Sequence, residues 1–186
     1  MREIVSAEQV IECVTRAWAS ETYNAQLQSI LLQEGDSLEA SNAKEFFLGK
    51  KWQDIDDSAL RQTYPSPFLI GNAAIRYYLG AFLISAVRKP NDANVDLMDQ
   101  LVEFELQFPR KTTAIQRFRA RFDLLTCDQK KAVACFLQFC QQYYSAFNDR
   151  ACRRIEYSID NYWTTGCLNG DSKRTVTEPS TGEVEK

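Results

Sequence analysis

The segment FLIGNAAIRYYLGAFLISAV, residues 68–87, is the most apolar stretch of this chain and constrains the fold more than any other feature. A membrane span needs about 20 predominantly apolar residues with few or no charges, but this segment contains Asn72, Arg76 and Ser85. If this segment forms a helix, apolar residues cover almost its whole circumference, which is typical of a buried core helix. The sequence therefore predicts a central helix over about 72–88, with Asn72 as its N-cap.

Other segments also carry signals for helices. Glycine (7) and proline (5) are scarce, which leaves few turns for a many-stranded β fold. Ser6 with Gln9, and Thr126 with Gln129, match the capping box that starts many helices. Asp149 is the expected N-cap of the last helix. These signals predict an all-α fold.

Length and composition indicate one domain. A chain of 186 residues that is 45% apolar and 25% charged has an ordinary globular composition. We expect a single compact all-α domain of about six to eight helices over residues 1–167, packed around the central helix. From Asn169 onward the chain has no large apolar residue but valine, so 168–186 is expected to be a disordered tail. The pattern leaves open whether 20–34 is a separate helix.

Four motifs occur together along the chain. They are Trp52 with the following DIDD, RYYLGAFLISAV at 76–87, LLTCDQKKAVACFL at 124–137 and IDNYW at 159–163. This combination resembles a family of uncharacterised bacterial helical proteins, and the resemblance covers about residues 37–163. It implies an all-helical fold and a bacterial cytoplasmic setting, and it implies no activity. The chain departs from the family pattern at Gly80, where the family has proline, and both residues weaken a helix interior.

The charges are distributed unevenly along the sequence. Residues 1–107 contain 9 lysines and arginines against 16 acidic residues, whereas residues 108–154 contain 10 against 3. An acidic body with a basic segment indicates either internal charge pairing or the binding of an anion or acidic partner. Arg110, Arg117 and Arg121 would share one face if they belonged to one continuous helix.

Several chemistries are excluded by the residues that the chain lacks. The absence of histidine removes Ser-His-Asp and Cys-His catalysis and histidine-ligated zinc. The six cysteines have no C-x-x-C spacing, and neither of the common glycine-rich phosphate loops occurs. We therefore expect no metal site, no cofactor and six free thiols, of which Cys167 should react first.

Arginines are the candidate ligand-binding residues. Arg76, beside Tyr77 on the central helix, can either anchor an anionic ligand or pair with a carboxylate from the acidic half. Three carboxylates, Asp99, Glu103 and Glu105, are expected on a solvated helix face, because residues two apart on a helix point to different sides. The candidates in the basic segment are Arg117, Arg121, Arg153 and Arg154.

The leading functional hypothesis is a small non-catalytic interaction or regulatory protein whose partner is another protein. The acidic N-terminus has no apolar run of the signal-peptide type, which favours a cytoplasmic location. The alternative is a binding module for an anionic ligand or acidic partner, through Arg76 or the basic segment 110–154. A histidine-independent enzyme is the third hypothesis. The net charge of −3 disfavours a nucleic-acid binder, and no membrane association is expected.

Overall fold

All regular structure described for this protein is helical. The computed structural model describes residues 4–23, 45–57, 60, 71–88, 95–146 and 148–165, and no strand occurs within these ranges. The predicted all-α fold is therefore confirmed. Cys167, the expected C-terminal tail and most of residues 20–34 lie outside the described residues.

The helices follow one another along the chain with short connections in the C-terminal half. Two of them continue into a π-helical turn, in which each bond spans five residues instead of four. A short 3₁₀-helix covers Trp52–Asp54. The α-helices are α1 (Ala7–Trp18), α2 (Asn72–Arg88), α3 (Val95–Gln100), α4 (Thr112–Phe122), α5 (Cys127–Tyr144) and α6 (Asp149–Ser158), and the π-turns are π1 (Leu101–Glu105) after α3 and π2 (Ile159–Trp163) after α6.

Helix α2 is the centre of the domain, as its apolar circumference predicts. It packs against α1, α3, α4, α5 and the 3₁₀-helix. The N-cap prediction was wrong: Asn72 is the first helical residue, and the carbonyl of Gly71 accepts hydrogen bonds from the amides of Ala74 and Ile75. The Asn72 side chain is thereby available for another contact, described below. The fully buried residues of α2 include Tyr78, Leu79, Phe82 and Leu83.

Helix α1 contacts α2 at a glycine of α2, where a larger residue would have little room. A Cβ atom on Gly80 would lie 3.1 Å from two carbons of the buried Trp18 indole, which is tighter than an ordinary contact. Trp18 Nε1 donates a hydrogen bond of 2.7 Å to the carbonyl of Arg76, one turn before Gly80. The contact of α1 with α2 thus combines close packing with a satisfied buried donor.

The other three capping predictions are confirmed at two helices and wrong at one. The hydroxyl of Ser6 accepts from the amide of Gln9, and the side chain of Gln9 accepts from the amide of Ser6. The same reciprocal pair starts α5 at Thr126. At α6 the N-cap is Asn148, whose Oδ1 accepts from the amide of Ala151 at 3.0 Å, and Asp149 is the first helical residue.

Candidate binding groove

The turn π1 changes which side chains at the end of α3 face solvent. The amide of Leu106 donates to the carbonyl of Leu101 at 2.8 Å, which closes the wider turn. Leu101 and Val102 are buried, whereas Phe104 is 68% exposed. Because π-helical turns are rare and occur frequently at functional sites, π1 is a candidate position for a binding surface.

The turn π2 is bonded to the residue that directly follows π1. Trp163, the last residue of π2, donates from Nε1 to the carbonyl of Leu106 at 2.9 Å. Close by, the amide of Phe108 donates at 2.9 Å to the hydroxyl of Ser158, which in turn donates to the carbonyl of Arg154. The backbone that leaves π1 is therefore fixed on α6 and π2 by buried and half-buried hydrogen bonds.

A groove runs along both sides of π1, and we call it the π1 groove. On the side of α4 it has a volume of about 600 Å³, and on the side of α6 it has a volume of about 340 Å³. The two parts share Phe104, Gln107 and Pro109. The charged residues of its lining are Glu103, Glu105, Arg110, Arg117, Arg121 and Arg154.

The floor of the groove contains a buried ion pair. Arg121 donates from Nε to Glu105 at 2.9 Å and from Nη2 at 3.4 Å, and the two side chains are 11% and 3% exposed. Arg121 also donates from Nη1 to Oδ1 of Asn72 at 3.3 Å, which ties α4 to the start of α2. Burial raises the pKa of Glu105, and the charge of Arg121 opposes that rise.

A second pair lies at the rim of the groove. Arg154 on α6 donates from Nη1 to Glu103 at 3.0 Å, and its side chain is 37% exposed. Gln107 also donates to Glu103, at 3.4 Å. The guanidinium of Arg110 lies over the ring of Tyr157, with 4.6 Å between its central carbon and the ring centre. The rim pair connects π1 to α6, just as the floor pair connects π1 to α4.

Among the described residues, the charged side chains of the groove that lack an ion-pair partner are positive. Glu103 and Glu105 each have an arginine partner. By contrast, no carboxylate of the described residues lies within ion-pair distance of the exposed Arg110 or Arg117. An anionic group in the groove would therefore meet cations that no acid in the described part of the chain neutralises.

The remaining sequence candidates lie elsewhere. Arg76 binds Glu21 with an N–O distance of 2.9 Å, and Glu21 also accepts from the side-chain amide of Gln129 at 2.9 Å. This is the pairing with the acidic half that the sequence allowed. The hydroxyl of Tyr77 accepts from the amide of Trp52 at 3.3 Å, and burial raises the pKa of Tyr77. Arg153 is exposed on α6 and does not line the groove.

A shared face of Arg110, Arg117 and Arg121 required one continuous helix, and that condition is not met, because α4 begins at Thr112, after Arg110. The prediction for the carboxylates was wrong at one residue. Glu105 is buried and not on a solvated face. The three carboxylates of this region form no catalytic cluster, since the hydroxyl of Tyr144 donates to Asp99, Arg154 binds Glu103 and Arg121 binds Glu105.

The fold and groove define an all-helical protein with a basic surface groove beside a π-turn. Within the described ranges no helix is long and apolar enough to cross a membrane, and no group of three or more potential metal ligands occurs. A family model matches residues 6–166, and the chain belongs to that family, the family of unknown function DUF6714. The match includes α1, which the motif resemblance over 37–163 did not cover. No curated protein and no solved structure matches the chain.

Proposed function

We propose that this chain is a non-catalytic interaction protein of the cytoplasm that binds an acidic segment of a partner protein in the π1 groove. One observation carries the proposal: both groove carboxylates have arginine partners, whereas Arg110 and Arg117 have none among the described acids. The groove therefore presents net positive charge on both sides of π1. Charge complementarity of this kind selects an acidic partner and accelerates its association.

The shape of the groove favours an extended segment over a compact ligand. Its two parts meet at Phe104, Gln107 and Pro109, so a chain crossing π1 contacts both. Acidic side chains of such a segment can reach Arg117 on one side and Arg110 on the other. The exposed ring of Phe104 supplies an apolar contact between them, and aromatic and arginine side chains are the residues that contribute most at interfaces.

An anionic small molecule is the second candidate. The larger part of the groove, at about 600 Å³, falls within the range of small-molecule sites, and Arg117 and Arg121 both line it. The Arg76 version of this hypothesis has less support, because Glu21 already neutralises Arg76. An enzyme has the least support, because Glu105, the buried acid of the groove, is held by Arg121.

Fluorescence anisotropy with synthetic peptides tests the proposal. The probes are fluorescein-labelled peptides of about ten residues, rich in Asp and Glu with one Leu or Phe, titrated at low and physiological salt. We expect micromolar binding to the wild type and a loss of about tenfold, or about 1.4 kcal/mol, in Arg117→Glu. The matched control is Arg119→Glu, because Arg119 is exposed on the same helix but does not line the groove. It should change the affinity less than about threefold, roughly half a kcal/mol.

Three results would contradict the proposal, each in a different way. Equal losses in Arg117→Glu and Arg119→Glu would indicate unspecific attraction to the basic segment. Tight binding of citrate or inorganic polyphosphate, lost in Arg117→Glu without any binding of peptides, would favour the small-molecule alternative. Absence of binding by every probe at low salt, where screening is weakest, would remove the groove as an anion site.

A further inference from the structure

A second groove lies beside π2, and we call it the π2 groove. Its volume of about 380 Å³ is within the range of ligand-binding pockets. It is lined by Ile4 and Val5 before α1, by three glutamines of α5, and by Glu156, Ile159 and Asp160 of α6 and π2. Both π-turns of this fold therefore border a surface groove.

The two grooves use opposite faces of the helix that α6 and π2 form. Residues three and four apart on a helix share a face, and each groove takes one such set from this helix. The π1 groove takes Arg154, Tyr157 and Ser158, and the π2 groove takes Glu156, Ile159 and Asp160. No residue of the described ranges lines both grooves.

The π2 groove combines apolar side chains with negative charge. Ile159 is buried in its lining, and Ile4 is 80% exposed. Its charged residues are Glu156 and Asp160, and no lysine or arginine of the described residues lines it. No cation in the described part of the chain lies within ion-pair distance of the exposed Asp160. The groove therefore suits an apolar side chain that is accompanied by positive charge.

The π1 groove carries these complementary features at its middle. Phe104 is 68% exposed and lies where the two parts of the π1 groove meet. Arg117 lines the part on one side of it, and Arg110 lines the part on the other. We call these three residues the Phe104 ridge. Aromatic and arginine side chains contribute most at protein interfaces, so this ridge has the composition of an interface.

We propose that copies of this chain associate head to tail, with the Phe104 ridge of one copy seated in the π2 groove of the next. The ring of Phe104 contacts Ile4 and Ile159, and the arginines of the ridge face Glu156 and Asp160. The inference rests on the proposed function in one respect, because it uses the same arginines of the π1 groove. Self-association and the binding of an acidic segment therefore exclude each other at one groove.

The arrangement predicts how association continues. A contact between two different surfaces is heterologous, and every pair of copies leaves one Phe104 ridge and one π2 groove unused. Because the grooves lie on opposite faces of α6 and π2, a third copy can add in the same way. Association should therefore continue beyond two chains, as a ring or an open chain, and it should weaken with salt.

The experiment measures the mass of the full chain by sedimentation velocity and light scattering, between about 10 µM and about 1 mM. At low salt the average mass should rise with concentration beyond that of two chains, and at high salt it should fall to that of one chain. Arg117→Ala and Asp160→Lys should each lower the association constant about tenfold. The matched controls, Arg119→Ala on α4 and Glu12→Lys on α1, change exposed residues that line neither groove. They should lower it less than about threefold.

A mixture of the two variants tests whether the two surfaces meet. In an equimolar mixture, the intact Asp160 of the Arg117→Ala variant can bind the intact Arg117 of the Asp160→Lys variant. The mixture should therefore regain one contact per pair of chains and stop at two chains. A mixture that associates no better than either variant alone would contradict the contact between the Phe104 ridge and the π2 groove.

A photocross-linker locates the contact while it keeps both charges. With p-benzoylphenylalanine in place of Phe104, irradiation should give cross-linked dimers whose attached tryptic peptide is 3–16, with Ile4, or 155–173, with Ile159. This measurement decides the question if Arg117→Ala or Asp160→Lys fails to fold, which circular dichroism would reveal.

The inference and the proposed function can fail separately. A wild type that stays monomeric at every concentration, or stops at two chains, would overturn head-to-tail association. Equal losses in Arg117→Ala and Arg119→Ala, or cross-links to other peptides alone, would do the same. A monomer that still binds the acidic peptides would remove this inference and keep the proposed function. Head-to-tail association without any peptide binding would keep the inference and remove the acidic segment as a ligand.

Discussion

The floor pair and the rim pair of the π1 groove each join a glutamate of π1 to an arginine of a neighbouring helix, yet they are different kinds of ion pair. Glu105 and Arg121 lie 2.9 Å apart in the interior, and Glu103 and Arg154 lie 3.0 Å apart at the surface. An exposed pair contributes about 0–1 kcal/mol, since water and salt screen it. Removing one partner of a buried pair leaves an uncompensated charge and costs about 3–5 kcal/mol. The two pairs have nearly the same N–O distance and differ in their exposure to water.

The difference has a consequence for what each pair does. Arg121 bonds to Glu105 and to Asn72, so it joins π1, α4 and the start of α2 inside the core. Arg154 joins π1 only to α6, and its side chain stays partly in water. The floor pair is therefore part of the structure on which the groove is built. The rim pair joins two elements at the surface, and its loss should leave the fold largely intact.

The largest effect is expected for Arg121→Met. This change keeps an apolar stem but leaves Glu105 buried without its cation, so the free energy of unfolding should fall by about 3–5 kcal/mol at neutral pH. Urea denaturation followed by tryptophan fluorescence measures it. A loss below about 1 kcal/mol would place the pair with surface pairs and remove the distinction between floor and rim.

A double variant is the control for this prediction. Glu105→Leu together with Arg121→Met removes both charges and keeps apolar volume at the site. If the loss in the single variant arises from an uncompensated charge, the double variant should recover most of it, because apolar replacements of buried pairs are often neutral or stabilising. A double variant as unstable as the single one would assign the loss to packing around the Arg121 stem.

A smaller and pH-dependent effect is expected for Glu105→Gln. Since burial raises the pKa of Glu105 above its ordinary value of 4.5, the folded state binds its proton more tightly than the unfolded chain does. The stability that Glu105 contributes is therefore complete below 4.5 and is lost as the pH rises through the folded pKa. The unfolding free energy of the wild type minus that of Glu105→Gln should decrease as the pH rises.

Urea titrations of both proteins at several values between about pH 4 and pH 7 measure this difference. Using the difference cancels the titration of the other acids, which the two proteins share. A difference that grows with pH would mean that attraction to Arg121 outweighs burial at Glu105. The floor pair would then behave as a stabilising pair in spite of its position.

The smallest effect is expected for Arg154→Met. Its removal should lower the free energy of unfolding by about 0–1 kcal/mol, and the change should vanish at about 1 M salt, where screening acts within about 3 Å. Chemical denaturation at low and high salt measures it. A loss that is large and independent of salt would show that the rim pair is as isolated from water as the floor pair.

Local features of this fold could be predicted from the sequence, and features set by the turn geometry could not. Both capping boxes are defined by residues three apart, so Ser6 and Thr126 identify helix starts without any tertiary information. The turn π1 has only five residues and leaves no periodic signal in the hydrophobic pattern. Within π1 the side-chain directions depart from those of an α-helix, so helical spacing alone does not predict that Phe104 is exposed beside the buried Leu101 and Val102.

The burial of Glu105 had a signal that could have been recognised. It lies four residues after Leu101 and three after Val102, which puts it on the apolar side of the helix. An acid in that position needs a buried partner, and Arg121 stands between the apolar positions of α4 in the same way. The sequence alone does not pair them, because they are 16 residues apart on different elements.

The position of α1 determines when the fold can be completed during synthesis. Its apolar face packs on α2 and on α5, and the hydrogen bond from Gln129 to Glu21, just after α1, joins residues that are 108 positions apart. A ribosome must therefore release most of the domain before α1 finds its second neighbour. Until then α1 lacks the part of its packing that α5 supplies, and such non-local contacts slow folding and favour early association with chaperones. Helix α1 is made before the other described helices, yet it is among the last of them to be fully buried.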